Sequence, residues 1–148
     1  MDTQTPSVGK LMYLAAVELI TSRYPHGWGG AAVLRTADNT YLTSVAIETA
    51  NGGAGLCIET GAICEAHKFN VQITHTLCLV RDDEHSTFKI LSPCGICQER
   101  LRFWGPDVLC AVSTNDGTLR FVPLGALQPF HWSAAYPADE LEHFQRAD

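Results

Sequence analysis

The chain has 148 residues, 46% hydrophobic and 18% charged, which is enough apolar material for one globular domain over 1–148 and too short for a second. Its formal charge of -6, from 16 acidic against 10 basic residues, comes without a Lys/Arg run able to track a phosphate backbone, so no nucleic-acid partner is expected. No apolar stretch is long enough to cross a bilayer, so no membrane partner is expected either.

Residues 7–23 place Val8, Leu11, Met12, Ala15, Leu19 and Ile20 on a helical stripe that stops before Tyr24-Pro25-His26-Gly27. Leu11 to Ile20 is the one stretch with signal-peptide character, but Glu18 interrupts it, and it reads as a core helix. Ala31 to Arg35 and Tyr41 to Ile47 flank Ala37-Asp38-Asn39 and should form an antiparallel hairpin. Gly52, Gly53 and Gly55 lead into a second helix over Leu56 to Lys68, whose opening turn carries Cys57 and Glu59. Val71 to Val80 and Phe88 to Leu91 read as strands, and Ser92-Pro93-Cys94-Gly95 opens a third helix to about Phe103. Val108 to Val112 and Leu119 to Val122, joined by a loop with Asp116-Gly117, should close as a hairpin. The charged tail from Pro137 reads as a surface helix.

The six cysteines (57, 64, 78, 94, 97 and 110) are unevenly spaced and accompanied by no secretion signal, so a reducing, cytoplasmic setting and free thiols are expected. Cys64, Cys78 and Cys110 read as core residues. Cys57-Ile58-Glu59 and Pro93-Cys94-Gly95-Ile96-Cys97 each sit at a helix start, where the dipole and free N–H groups favour a thiolate. Together they offer three sulfurs, a donor set that suits one zinc ion with a fourth position left for water. Glu59, two residues from a ligand, is placed to carry a proton from that water to a leaving amine.

These paired motifs resemble those of the cytidine deaminase family, zinc-dependent nucleoside deaminases. Glu48, nine residues before Cys57, stands where that family has an Asn-x-Glu-Asn segment leading into Cys-Ala-Glu, and Leu127-Gln128-Pro129-Phe130 resembles its C-terminal segment. The resemblance implies a three-layer α/β/α sandwich with a five-stranded mixed sheet. It also implies Zn2+ held by Cys57, Cys94 and Cys97, proton transfer by Glu59, ribose contact by Glu48, a base-facing N–H at Ile58 and a stacking aromatic at Trp28. Cytidine or deoxycytidine would be the substrate, in pyrimidine salvage, and the assembly a homotetramer or a dimer. Four positions depart from the pattern: Ala46 replaces a ribose-binding Asn, Ile58 replaces Ala, and Thr60 and Gln98 fill slots that commonly carry Arg near the thiolates. Compensation of the thiolate charge is then left to Arg100 or a neighbouring subunit. Asn51-Gly52-Gly53 also resembles blasticidin S deaminases, which makes a modified cytosine, such as blasticidin S or an N4-substituted cytidine, the alternative substrate.

Two readings from another class stand beside these. Cys94-Gly95-Ile96-Cys97 alone fits a thiol-redox pair, although this explains neither Cys57 nor Glu59. A purely structural zinc would need a fourth protein ligand, for which His67 and His75 are the candidates.

Overall fold

The computed structural model describes residues 6–147. Helix α1 spans Val8–Arg23. The Ser7 hydroxyl accepts from the Lys10 N–H at its start, and the Tyr24 N–H returns to the Ile20 carbonyl at its end. Strand β1 (Gly29–Thr36) pairs antiparallel with β2 (Tyr41–Ser44), as the turn composition predicts, with Asn39 at φ 66° in the connection. After β2 come α2 (Thr60–Lys68), β3 (Ile73–Arg81), β4 (Lys89–Leu91) and α3 (Gly95–Leu101). The order closes with β5 (Leu109–Ala111), β6 (Phe121–Pro123) and the short α4 (Leu124–Leu127).

The sheet runs β2-β1-β3-β5-β6, with β4 attached to β3 beside β5. Only β3 and β5 are parallel, and β5 and β6 form the expected closing hairpin. The sheet therefore has six strands where the resemblance implies five. The extra one is the short strand that the residue pattern around Phe88–Leu91 itself indicates; it pairs with Cys78–Val80 of β3.

Strand β1 decides the layering. Its run is apolar from Gly29 to Leu34 and buried on both faces, so alternate residues feed two cores. Ala31 and Val33 join Met12 and Ile20 of α1 and Leu77 and Leu79 of β3, whereas Ala32 and Leu34 join Ile63 of α2 and Leu101 of α3. Each fully buried Leu or Val contributes about 1.5–3 kcal/mol against leaving it in water. The result is the expected α/β/α arrangement, with α1 on one face and α2 and α3 on the other.

Three boundaries differ from expectation. Strand β2 ends at Ser44, and Ile47 makes only an isolated antiparallel bridge to Leu56. Helix α2 begins at Thr60 rather than Leu56, because Leu56 is held in that bridge and Cys57-Ile58-Glu59 forms a turn instead. The tail forms a single 3-10 turn at Ala138–Glu140 rather than a helix; it has no apolar stripe to pack, and a short helix does not stand without one. It is tied instead by the Phe144 N–H, which donates to the Phe103 carbonyl at 2.8 Å.

Candidate metal centre and active site

The face bearing α2 and α3 brings the two cysteine motifs together. Cys94 is the N-cap of α3 and Cys57 precedes α2, and the three Sγ atoms of Cys57, Cys94 and Cys97 all lie within 4.8 Å of one another. Cys57 Sγ is 3.4 Å from Cys94 Sγ. A tetrahedral zinc with Zn–S near 2.3 Å spaces its sulfurs about 3.8 Å apart, so the donor set and its dimensions fit that ion. Among the described residues this is the one group of three or more candidate ligands. His67 instead packs against Phe103 and Trp104, and His75 meets Phe121 edge-on, so neither supplies a fourth ligand for a structural site.

The sulfurs are not equivalent. Cys97 is fully buried, and that burial, with Glu59 and the other two thiols adding to it, pushes its thiol pKa up. For Cys94, partial burial pulls upward, but the Cys97 N–H, the Cys57 thiol and the Ile96 N–H outweigh it and leave the group lowered. Cys57 is raised, first by its hydrogen bond with Cys94 and then by burial. The helix start thus makes Cys94 the first thiolate of the three, and a divalent cation is what allows the others to follow.

Glu59 is 4% exposed, and its Oε2 accepts from the Cys97 thiol at 3.4 Å. A carboxylate buried beside three sulfurs is costly unless an ion or a proton offsets it. Arg100 answers the charge question left open by the sequence: its Nη1 donates to Thr60 Oγ1 at 2.8 Å and lies 4.0 Å from Cys97 Sγ. One arginine from the next turn of α3 thus serves the Thr60 slot, while the Gln98 amide donates to the Pro93 carbonyl at 2.9 Å.

Ile58 is half-buried against the core, and its carbonyl accepts from Ser44 Oγ at 2.6 Å. That bond pins the turn carrying Cys57 and Glu59 to the end of β2. Nothing in the sequence singled out Ser44. Replacing it with Ala is expected to cost about 1 kcal/mol of stability and to weaken zinc retention; thermal unfolding and chelator competition would measure both.

The bridge of Ile47 to Leu56 sets Ala46 opposite Cys57 and Glu48 opposite Gly55, and Glu48 is exposed. Trp28 is 39% exposed and meets Tyr24 edge-on at 5.8 Å. A Cβ at Gly30 would come within 2.9 Å of Ile58 Cδ1 and 3.0 Å of the Trp28 ring, so both side chains lie over this glycine. The structure thus brings Trp28 beside the Cys57–Glu59 turn. Of the cysteines read as core, Cys78 and Cys110 are buried, but Cys64 is exposed on α2. The expectation of a core position for Cys64 fails because α2 starts at Thr60, which turns Cys64 outward.

No family model matches the chain. It is 30% identical over 107 residues to the blasticidin-S deaminase of Bacillus cereus, covering 68% of this chain and 75% of that protein. The crystal structure of the cytidine deaminase from Bacillus anthracis is similar at 51% identity and a TM-score of 0.88, over 90% of this chain and 95% of that one. The cytidine deaminase from Mycobacterium tuberculosis shares the fold at 22% identity and a TM-score of 0.64, over 84% of this chain and 97% of that one.

Proposed function

The chain belongs to the cytidine deaminase family, and from that premise we propose that Cys57, Cys94 and Cys97 hold one zinc ion while Glu59 moves the protons of a hydrolytic deamination. The protein is a zinc-dependent hydrolase of free cytosine nucleosides, converting cytidine or deoxycytidine and water to the uridine form and ammonia. One observation carries the assignment of roles: a carboxylate buried at 3.4 Å from one thiol of a three-thiol cluster, close enough to act there yet outside the ligand set.

When bound, zinc supplies the Lewis acidity that makes water nucleophilic at neutral pH. The chain's own groups do the rest. Glu59 accepts the proton released as the C4–O bond forms and delivers it to the amino nitrogen as the C4–N bond breaks. The Ile58 N–H faces the pyrimidine carbonyl, Trp28 walls the ring, and the exposed Glu48 meets the sugar hydroxyls. Burial of Glu59 keeps bulk water from competing for the proton.

Ammonia release should be measured for the zinc-loaded protein against cytidine, deoxycytidine, blasticidin S, N4-substituted cytidines and adenosine. Turnover of the plain nucleosides is expected. Turnover of modified cytosines alone would move the assignment to the second reading. That reading is favoured by Ala46, which offers no side-chain donor opposite Cys57, and by the likeness to a blasticidin-S deaminase. Silence across the panel with zinc bound would sink both.

The reading extends to the whole chain acting as one domain, in the cytoplasm, in pyrimidine salvage and as a homotetramer, with a dimer as the smaller option. What supports assembly is apolar surface left open: Ile96 and Trp132 are exposed, and Phe130 is fully so. Among the described residues no helix is long and apolar enough to cross a membrane.

A further inference from the structure

Arg81 is a buried cation that the chemistry above does not use. It ends β3 opposite Gly29 of β1, is only 5% exposed, and makes no ion pair with a carboxylate among the described residues. A charge in that position needs a reason, because desolvating it is expensive. The reason is the end of α1. Its guanidinium donates to the carbonyl of Tyr24, the C-cap of that helix, and through Nε to the Gly27 carbonyl at 3.4 Å. Helix C-termini present unpaired carbonyls and the negative end of the dipole, so backbone rather than an acid neutralises Arg81.

The same loop is held from its other side. The Gly27 N–H donates to Glu84 Oε2 at 2.7 Å, and that bond, before any other cause, lowers the Glu84 carboxyl to a pKa of about 2. Both polar groups of Gly27 are thus engaged, at a φ of 74° that favours glycine. The next residue is Trp28, whose ring reaches over Gly30 to the position shared with Ile58.

We infer that Arg81 is a positioning residue for substrate binding: by clamping the Tyr24–Trp28 loop to the end of β3 it fixes Trp28 as the wall beside Ile58 against which the pyrimidine ring packs. The inference rests on the deaminase reading above. It assigns to a side chain outside the thiol cluster the task of keeping the cleft at one width. An aromatic wall on a loose loop would lose ordering entropy on every binding event.

The test is a double-mutant cycle on KM and kcat with cytidine. Trp28→Ala is expected to raise KM about tenfold, the worth of a lost base stack. Arg81→Met, which keeps the stem and removes the donors, should raise KM by a similar factor while kcat and one zinc per chain persist; Arg81→Lys should recover part of the loss. The double variant should be no worse than Trp28→Ala alone, because Arg81 acts through Trp28. A merely structural role would give additive effects and a lowered kcat, and either result overturns the inference. Should Arg81→Met fail to fold, Glu84→Ala on the exposed side of the clamp decides: a raised KM that vanishes in the Trp28→Ala background supports the inference, and an unchanged KM overturns it. A parent enzyme inactive on every cytosine nucleoside would instead fail the reading beneath, whereas parental turnover with an additive cycle fails this inference alone.

Discussion

Glu59→Gln is expected to keep its zinc, fold as well as the parent and lose turnover by roughly 10²–10⁴-fold, the usual contribution of a positioned acid–base group. The substitution preserves shape in a pocket where Glu59 is 4% exposed, so no cavity forms. It removes a negative charge next to three sulfurs, which relieves like-charge repulsion and leaves the ligand set intact. The amide cannot accept the proton released from water, so the effect falls on kcat rather than KM. Zinc content by atomic absorption and ammonia release on the same sample decide the matter. A zinc-loaded Glu59→Gln protein with parental turnover would end the proposed role.

Cys94→Ala is expected to lose both the metal and the stability that the metal brings. Two thiols cannot hold zinc as three do, and Cys94 is the sulfur that backbone N–H groups of α3 favour as thiolate. The side chain itself is exposed, so its removal should leave the metal-free protein almost unchanged. The difference therefore appears only on loading. A ligand present at a thousand times its dissociation constant stabilises by about 4.1 kcal/mol, worth roughly 10 °C in a chain of this size. Calorimetry should show the loaded parent unfolding well above the variant and both metal-free forms coinciding. The control is Cys64→Ala, exposed on α2 and outside the cluster, which should bind and unfold like the parent. One zinc per chain retained in Cys94→Ala would remove that residue from the ligand set.

Some of this protein could be read without coordinates because its signals are local. Cys57 and Glu59 are two residues apart, and Pro93-Cys94-Gly95-Ile96-Cys97 opens a helix, so each half of the proposed site follows from spacing within one turn. The strand-like run Ala31 to Arg35 before Ala37-Asp38-Asn39 foretold the β1–β2 hairpin, and Asp116-Gly117 foretold the closing one. The start of α2 was placed four residues too early because the pattern does not reveal that Leu56 is held by Ile47. That displacement also put Cys64 on the wrong side of the helix.

Neighbours along the chain put Glu59 within a turn of Cys57, and Cys94 with Cys97 at the start of α3, where the helix favours a thiolate. Folding brings the two motifs together and selects the distant groups that serve them. Arg100 reaches Thr60 across the gap between α3 and α2, Ser44 ties down Ile58, and Arg81 holds the loop before Trp28 from the far end of another strand. Spacing along the chain sets local geometry within a turn or two. Contacts between residues 14 to 57 positions apart depend on strand register and on how the helices pack on the sheet, which come into being only when the whole chain folds.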